Sequence, residues 1–468
     1  MMTWLKGITL MFGILSVFSG SILAVLGPGR KYDGYQVWRV VPSNAHQIKS
    51  LIRLETNFDG FDLLDFWREA TPSSIGRPVD IMVPSSLRNN VHDILTSLDL
   101  DVTITIPDVG ALVNGQMTEI QTRQVNEPVG TTALSDFDYA RYHTYDEIQQ
   151  WVSDIVSEYS DIASPFLLTT SYEGRPINGF RIRGRNSDAS VTPPPAVWFE
   201  GGIHAREWIS PATVMWFTGK LLQDYEDGDE LAVNMFDNMD WYIVPSLNVD
   251  GYTYTWTNDR LWRKTRSDNF EGTNSGCVGT DPNRNFPFGW SGNGTSPFPC
   301  SNIYHGKSAL SETEIDGVVE YLRSLKAGGQ DFHVFMDWHS YGQYFLSPWS
   351  YSAYAPNPPD YDDMMLMGNA ASDAIFDVHG TVFQSGSSIE LLNEAAGSSK
   401  DWGYVPYDPT SKFKGGLGAK YSYTVELRDK GEYGFLLPEN QIQPVGEEIY
   451  AGVRAIGDYI LRELGFIV

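Results

Sequence analysis

Apolar and polar positions alternate along Tyr35-Gln-Val-Trp-Arg-Val-Val, which predicts a strand. Helical spacing follows from His46 to Leu54, then a second strand, Val79-Asp-Ile-Met-Val, that stops at Pro84. Leu87 to Leu98 has helical periodicity, and Val102-Thr-Ile-Thr-Ile closes the series as a strand. Strands and helices in that alternation predict a small open α/β sandwich between about Tyr35 and Asp108. A polar stretch from about Val113 to Ser135, with Arg123 as its single basic residue, reads as a cleavable connector or as an ordinary interdomain tether. From Tyr139 to Val468 the pattern becomes strand, loop, long helix, repeated. Its strands are Pro195 to Phe199, Trp241-Tyr-Ile-Val-Pro, Phe332-His-Val-Phe-Met-Asp and Tyr421-Ser-Tyr-Thr-Val-Glu. Helical periodicity runs from Ser210-Pro211 through Leu222 and again from Val445 to Leu464. The expected fold class is α/β: a large mixed, mostly parallel central sheet flanked by helices, preceded by the small sandwich. Ligand sites in such sheets gather beyond the carboxyl ends of the strands.

The first residues change the picture of where the chain travels. Met1 to Lys6 is short and mildly basic, Gly7 to Val25 is almost wholly apolar, and Ser19, Gly20, Ser21 and Ala24 offer small residues for cleavage. The alternatives are a cleaved leader and a membrane anchor; the position and the small residues favour a leader over 1–24. Secretion, or delivery to a vacuole-like compartment, is the expected destination. The 468 residues carry 33 basic and 59 acidic side chains, a formal net charge of −26, which repels phosphate backbones and anionic lipid. Nucleic acid is therefore excluded as a partner, and so is a membrane once the leader is gone. Apolar residues at 42% are ample for a large core. Two cysteines, Cys277 and Cys300, exclude a disulfide framework and allow one bridge, which an oxidising route would support. One glycosylation sequon, Asn293-Gly-Thr295, lies between them.

Chemistry concentrates at strand ends. In His204-Ala-Arg-Glu207 a histidine and a carboxylate three residues apart can turn toward one metal ion. Alone that spacing is weak, and a chance surface match is the alternative. His339, directly after the apolar strand Phe332 to Asp337, supplies a nitrogen base far along the chain. Two histidines and one glutamate leave a position of zinc open for water, the arrangement of a catalytic centre. Glu426 ends another strand, either as a general base for that water or as the partner of Arg428. Arg206, Arg260, Arg263 and Arg284 recur in motif-like stretches of a chain poor in basic residues; they suit capture of a carboxylate or oxyanion, or pair with the acidic surface.

Six motifs then occur in one order: His204-Ala-Arg-Glu-Trp-Ile, Arg260-Leu-Trp-Arg-Lys-Thr-Arg, Asp281-Pro-Asn-Arg-Asn, Tyr304-His-Gly, His339-Ser-Tyr and Glu426-Leu-Arg-Asp-Lys-Gly-Glu-Tyr-Gly-Phe-Leu-Leu-Pro. The set resembles the zinc metallocarboxypeptidases of the pancreatic carboxypeptidase A/B type from about Tyr139 to Val468, and Tyr35 to about Ile106 is similar to that family's activation segment. The resemblance implies a leader at 1–24, an activation unit with linker at 30–125 and a catalytic unit at 126–468. It implies one zinc held by His204, Glu207 and His339, with Glu426 as general base and acid. Arg263 would polarise the scissile carbonyl, and Asn283 with Arg284 would clamp the substrate's terminal carboxylate. Arg206, Arg260, Ser340 and Tyr341 would line the substrate groove, Asp281 would orient a zinc histidine, and Cys277 would bridge to Cys300. Asn293 is the glycosylation candidate.

Two positions depart from the family pattern. Counting back from Asp401-Trp402, Asn393 stands where the family carries a mobile capping tyrosine, so substrate affinity should weaken. By the same count Lys400 occupies the base of the specificity pocket, where a buried ammonium favours C-terminal Glu or Asp; the alternative is that Lys400 faces solvent or pairs with Asp401. The expected protein is a secreted, monomeric zymogen of a zinc exopeptidase, opened by an activating endopeptidase and acting on peptide or protein C-termini. The rival is a catalytically degenerate relative serving as a binding or cell-wall-associated protein. A regulatory, cytoplasmic or membrane-attached carboxypeptidase is disfavoured by the leader and the activation unit.

Overall fold

The computed structural model describes residues 31–56, 64–126, 134–187, 193–268 and 277–468. The expected leader, and residues 127–133 of the expected connector, lie outside the described residues.

The N-terminal unit is a four-stranded antiparallel sheet in the order β2-β3-β1-β4, built from β1 (Gln36–Val40), β2 (Asp65–Arg68), β3 (Val79–Val83) and β4 (Thr103–Ile106). Side chains alternate faces along each strand. Trp38, Val40, Phe66, Val79, Ile81 and Val83 form one buried cluster with helices α1 (Ala45–Thr56) and α2 (Arg88–Ser97). The residues between them, Val37, Trp67 and Met82, face the other way and join Leu261, Tyr341, Phe435 and Leu436 of the larger unit. The small sheet is thus apolar on both faces, one for its own helices and one for its neighbour.

A correction concerns the expected polar connector. Residues Val109–Asn126 form an 18-residue helix, α3, rather than an unpacked tether. Val109, Val113, Gln116 and Ile120 recur at helical spacing and are buried, which puts one face of α3 against the larger unit. Gln116 hides that face in the sequence: its amide donates to the Leu437 carbonyl at 3.2 Å and accepts from Arg260 Nε at 2.7 Å. Arg123 ion-pairs with Glu439.

The larger unit holds an eight-stranded sheet in the order β11-β10-β12-β9-β7-β8-β6-β5. Its strands are β5 (Ala163–Thr170), β6 (Pro176–Ile182), β7 (Ala196–Gly201), β8 (Asp240–Val244), β9 (Phe332–Ser340), β10 (Tyr344–Ser347), β11 (Gln384–Ser387) and β12 (Tyr421–Leu427). The central β8, β7, β9 and β12 run parallel, β10, β6 and β5 join through antiparallel pairs on the flanks, and the edge strand β11 pairs parallel with β10, as the mixed, mostly parallel expectation required. Buried β7 and β9 are nearly continuous apolar runs, the mark of strands covered on both faces. The helices Ile209–Glu226 and Ile442–Glu463 bury a large cluster on one face, with Ile315, Val318 and Leu322 on the other. Among the described residues no helix is long and apolar enough to cross a membrane.

Candidate active site

Three parallel strands deliver the reactive groups to one end of the sheet. β7 ends at Gly201, and Gly202 takes a positive φ of 67°, a turn that L side chains rarely adopt, to swing His204 and Glu207 back over the strand end. β9 carries His339 at its end and β12 carries Glu426, the two residues lying opposite each other in register. His204, Glu207 and His339 are buried and mutually close. His204 Nδ1 lies 2.9 Å from Glu207 Oε1, and His339 Nδ1 lies 3.1 Å from both His204 Nδ1 and Glu207 Oε2. Two nitrogens each about 2.0 Å from a tetrahedral zinc stand roughly 3.3 Å apart, so the spacing fits the ion. The donor chemistry fits too: two imidazoles and a carboxylate converge, while His204 Nε2 is held on the far side by Asp281 Oδ1 at 3.0 Å.

Arg263 reaches the same point. Its Nε and Nη2 donate to Asp281 Oδ2 at 3.1 and 2.9 Å, while Nη1 stays 3.8 Å from Glu207 Oε1. One carboxylate, held well below its usual range against burial by Arg263 and Arg284, therefore fixes both a ligand histidine and this guanidinium. Glu426 lines the cavity beside them, with Oε2 sealed from solvent and without a hydrogen-bond partner. Burial pushes its carboxyl up to about 8; Glu207 adds to the rise, and His339, Arg68 and Arg263 oppose it.

Arg284 lines the cavity, donating from Nε to the Gly294 carbonyl at 2.7 Å. Asn283 lines it as well, but its Oδ1 accepts from Ser399 N at 2.8 Å and its Nδ2 faces His339 Nε2 at 3.1 Å. The Cys277–Cys300 disulfide closes the loop that carries Asp281, Asn283 and Arg284. Ser340 and Tyr341 reach the cavity; Arg206 and Arg260 do not line it. Arg260 donates to the Arg206 and Phe435 carbonyls at 2.9 and 2.8 Å, to Gln116 Oε1 of α3 at 2.7 Å, and stacks on Trp208. Asn293 is exposed and donates to Glu394 Oε1 at 2.9 Å.

The N-terminal unit fills the mouth of this cavity with β2 and the residue after it, Trp67, Arg68 and Glu69, none of which the sequence pattern singled out. Asp65 Oδ2 accepts from Arg206 Nη1 at 2.6 Å, and Asp65 Oδ1 from Asn302 Nδ2 at 2.6 Å. Glu69 Oε1 stands 3.8 Å from Arg263 Nη2 and 3.9 Å from Arg284 Nη2, while Oε2 accepts from Asn393 Nδ2 at 3.1 Å. A side-chain carboxylate of one unit thus sits among the cationic groups of the other. Tyr341 donates to Asp80 Oδ2 at 2.8 Å and is likewise covered.

Comparison with known sequences decides what the site is. Residues 148–452 match the zinc carboxypeptidase family, and residues 38–116 match the carboxypeptidase activation peptide. The chain belongs to the zinc carboxypeptidase family. Among its relatives, carboxypeptidase A4 of Mus musculus is 36% identical over 449 residues, covering 96% of this chain and 99% of the relative. Carboxypeptidase B of Astacus astacus is 40% identical over 327 residues, 69% of this chain and 98% of its own. Among solved structures, thrombin activatable fibrinolysis inhibitor matches with a TM-score of 0.75 and 32% identity over 91% of this chain and 98% of its own. The carboxypeptidase A from Helicoverpa armigera matches with a TM-score of 0.77 and 25% identity over 92% of this chain and 98% of its own. The protein is a metallocarboxypeptidase in zymogen form, with an activation peptide on a catalytic unit whose one metal is zinc.

Proposed function

We propose that this zinc carboxypeptidase is a secreted zymogen that, once cleaved, removes acidic residues from peptide and protein C-termini. Its parts are the leader at 1–24, the activation unit with linker at 30–125 and the catalytic unit at 126–468. Zinc held by His204, Glu207 and His339 supplies a Lewis acid that lowers the pKa of a water molecule. Glu426 takes the proton from the attacking water and returns it to the leaving amine. Arg263 presents a fixed guanidinium to the carbonyl oxygen as charge develops there. Arg284, with Asn393 and Asn283 alongside, holds the terminal carboxylate, which restricts cleavage to the last residue.

The observation that carries the acidic preference is the state of Lys400. Its side chain is buried at the cavity wall, and burial pushes its pKa down against the pull of Asp401. Asp401 stands 3.8 Å away and is already saturated: its carboxylate accepts from Ser350 N, Ser350 Oγ and Tyr351 N, between 2.9 and 3.1 Å. An ammonium with so weak an internal partner favours an incoming carboxylate. Ser388 and Thr424 line the same cavity and add polar character. Matched peptides ending in Glu, Phe or Lys test the reading on activated enzyme with and without a zinc chelator. Chelator-sensitive release of Glu is expected, and Lys400→Leu should lower kcat/KM for that peptide by about 10–100-fold, the worth of one charge-assisted bond. Release of Phe with Glu left intact would overturn the preference, and no release from zinc-loaded protein would favour the degenerate binding protein.

Glu69 supports the zymogen half of the proposal, because it places a carboxylate where the substrate's own would be held. Removing both acidic contacts (Asp65→Ala with Glu69→Ala) should raise peptide hydrolysis by the uncleaved chain about 10-fold or more, since each charge-assisted bond contributes roughly 1.5–3 kcal/mol. Progress curves on the uncleaved double variant and parent check this; equal rates would remove these residues from the latch. The activating endopeptidase, glycosylation at Asn293 and the monomeric state belong to the same proposal.

A further inference from the structure

The second ligand histidine has a carboxylate behind it that nothing in the sequence motifs anticipates. Asp337 lies two residues before His339 on β9 and so projects from the same face. Its side chain is fully buried, and Oδ2 stands 2.8 Å from His339 Nε2. Ser399 Oγ donates to that same Oδ2 at 2.6 Å, while Oδ1 has no hydrogen-bond partner.

Chemistry at the metal decides what this contact means. His339 directs Nδ1 toward His204 and Glu207, so Nδ1 must keep its lone pair for the ion and the ring proton must sit on Nε2. That proton needs an acceptor. Asn283 Nδ2 is 3.1 Å away, but the Asn283 amide is oriented by Ser399 N donating to its Oδ1, so it presents hydrogens to the ring. Asp337 is the acceptor in reach. His204 repeats the arrangement, with Asp281 behind Nε2. A buried carboxylate with one orphan oxygen is costly, and its strand neighbour Glu200, which also has an orphan oxygen, makes it more so. Packing alone would favour an apolar side chain here.

We infer that Asp337 is a positioning residue for the metal centre: it fixes the tautomer and ring orientation of His339, as Asp281 does for His204. Ser399 holds the Asp337 carboxylate in place and opens the short helix Ser399–Tyr404 that carries Lys400. The wall of the specificity pocket is therefore fastened to the outer support of the metal. The inference rests on the zinc-centre reading of His204, Glu207 and His339.

The test measures zinc dissociation constants of the full, uncleaved chain by competition with a chromophoric chelator, with thermal unfolding of the metal-free form alongside. Asp337→Ala should weaken zinc about 10–100-fold, the usual effect of removing such a partner. Asp337→Asn keeps an acceptor oxygen and should lose less, at least 3-fold, with the metal-free unfolding midpoint unchanged. Zinc affinity within 3-fold of the parent in the folded variants would overturn the assignment; if Asp337→Ala does not fold, Asp337→Asn decides on the same threshold. A purely structural role would lower the metal-free midpoint and leave affinity intact, which also overturns it. A parent chain that binds no zinc, or whose zinc survives His204→Ala, refutes the zinc centre itself and is distinguishable from failure of Asp337 alone.

Discussion

Glu426→Gln should abolish turnover while leaving zinc in place. The Glu426 carboxylate ends β12 beside the metal ligands and lines the cavity, and its Oε2, sealed from solvent, makes no competing hydrogen bond. Glutamine keeps the shape and removes the proton acceptor, and a positioned general base accounts for about 10²–10⁴-fold of rate. The check is kcat/KM of activated enzyme with metal content measured on the same sample; activity within 10-fold of the parent would sink the role. The titration of this group has a sign that can be measured as well. In the metal-free, uncleaved chain burial holds the carboxyl up to about 8, above its ordinary value of 4.5. The folded state therefore keeps a proton that the unfolded state has lost between those limits, and stability falls as pH rises through that window. Glu426→Gln should remove this penalty, so its stability advantage over the parent is larger at pH 8 than at pH 5 in urea unfolding. Zinc and an opened cleft both favour the ionised form, so the acid limb of kcat/KM in activated enzyme should lie below pH 8.

Arg263→Ala should lower kcat by about 10²–10³-fold with a much smaller change in KM, the loss expected when a preorganised donor to the oxyanion is removed. The guanidinium is held by two bonds to Asp281, which also holds His204, so its position relative to the metal is set before substrate arrives. Arg263→Lys should recover little, because an ammonium cannot keep the bidentate grip on Asp281 and reach the carbonyl at once. Arg284→Ala supplies the contrast: Arg284 belongs to the proposed carboxylate clamp, so its loss should act mainly on KM. Steady-state kinetics on one peptide series separates the two, and an Arg263→Ala enzyme with kcat within 3-fold of the parent would end the oxyanion assignment.

Much of this was legible in the chain because the reactive groups sit at strand ends. His204, His339 and Glu426 each follow an apolar run whose strand character is plain, and the parallel sheet brings those ends together. Helix α3 was not legible, because a buried glutamine interrupts its apolar stripe and only the Arg260 and Leu437 partners explain it. Asp337 and Glu200 were hidden within apolar strands, where a single acid carries no local signal of what it faces. Asp65 and Glu69 were equally silent, since their partners, Arg206, Arg263 and Arg284, lie far along the chain. Arg260 was legible as a motif residue but its partners were not: in the uncleaved chain its bonds to Gln116 and to the Arg206 and Phe435 carbonyls make it a brace between α3 and the catalytic unit.

The packing of α3 separates two events in time. Cutting the chain beyond Arg123 severs a peptide bond and leaves untouched the Gln116 bonds, the Arg123–Glu439 pair and the buried faces of Val113 and Ile120. On the proposed activation, a nicked molecule would then be a complex of two chains, and its activity would appear with the off-rate of the smaller one. Dilution, a second cut or a competing peptide would each advance that moment. Under the proposed activation, the protein would carry its own delay, set by the same helix that the polar sequence around Arg123 disguises as a tether.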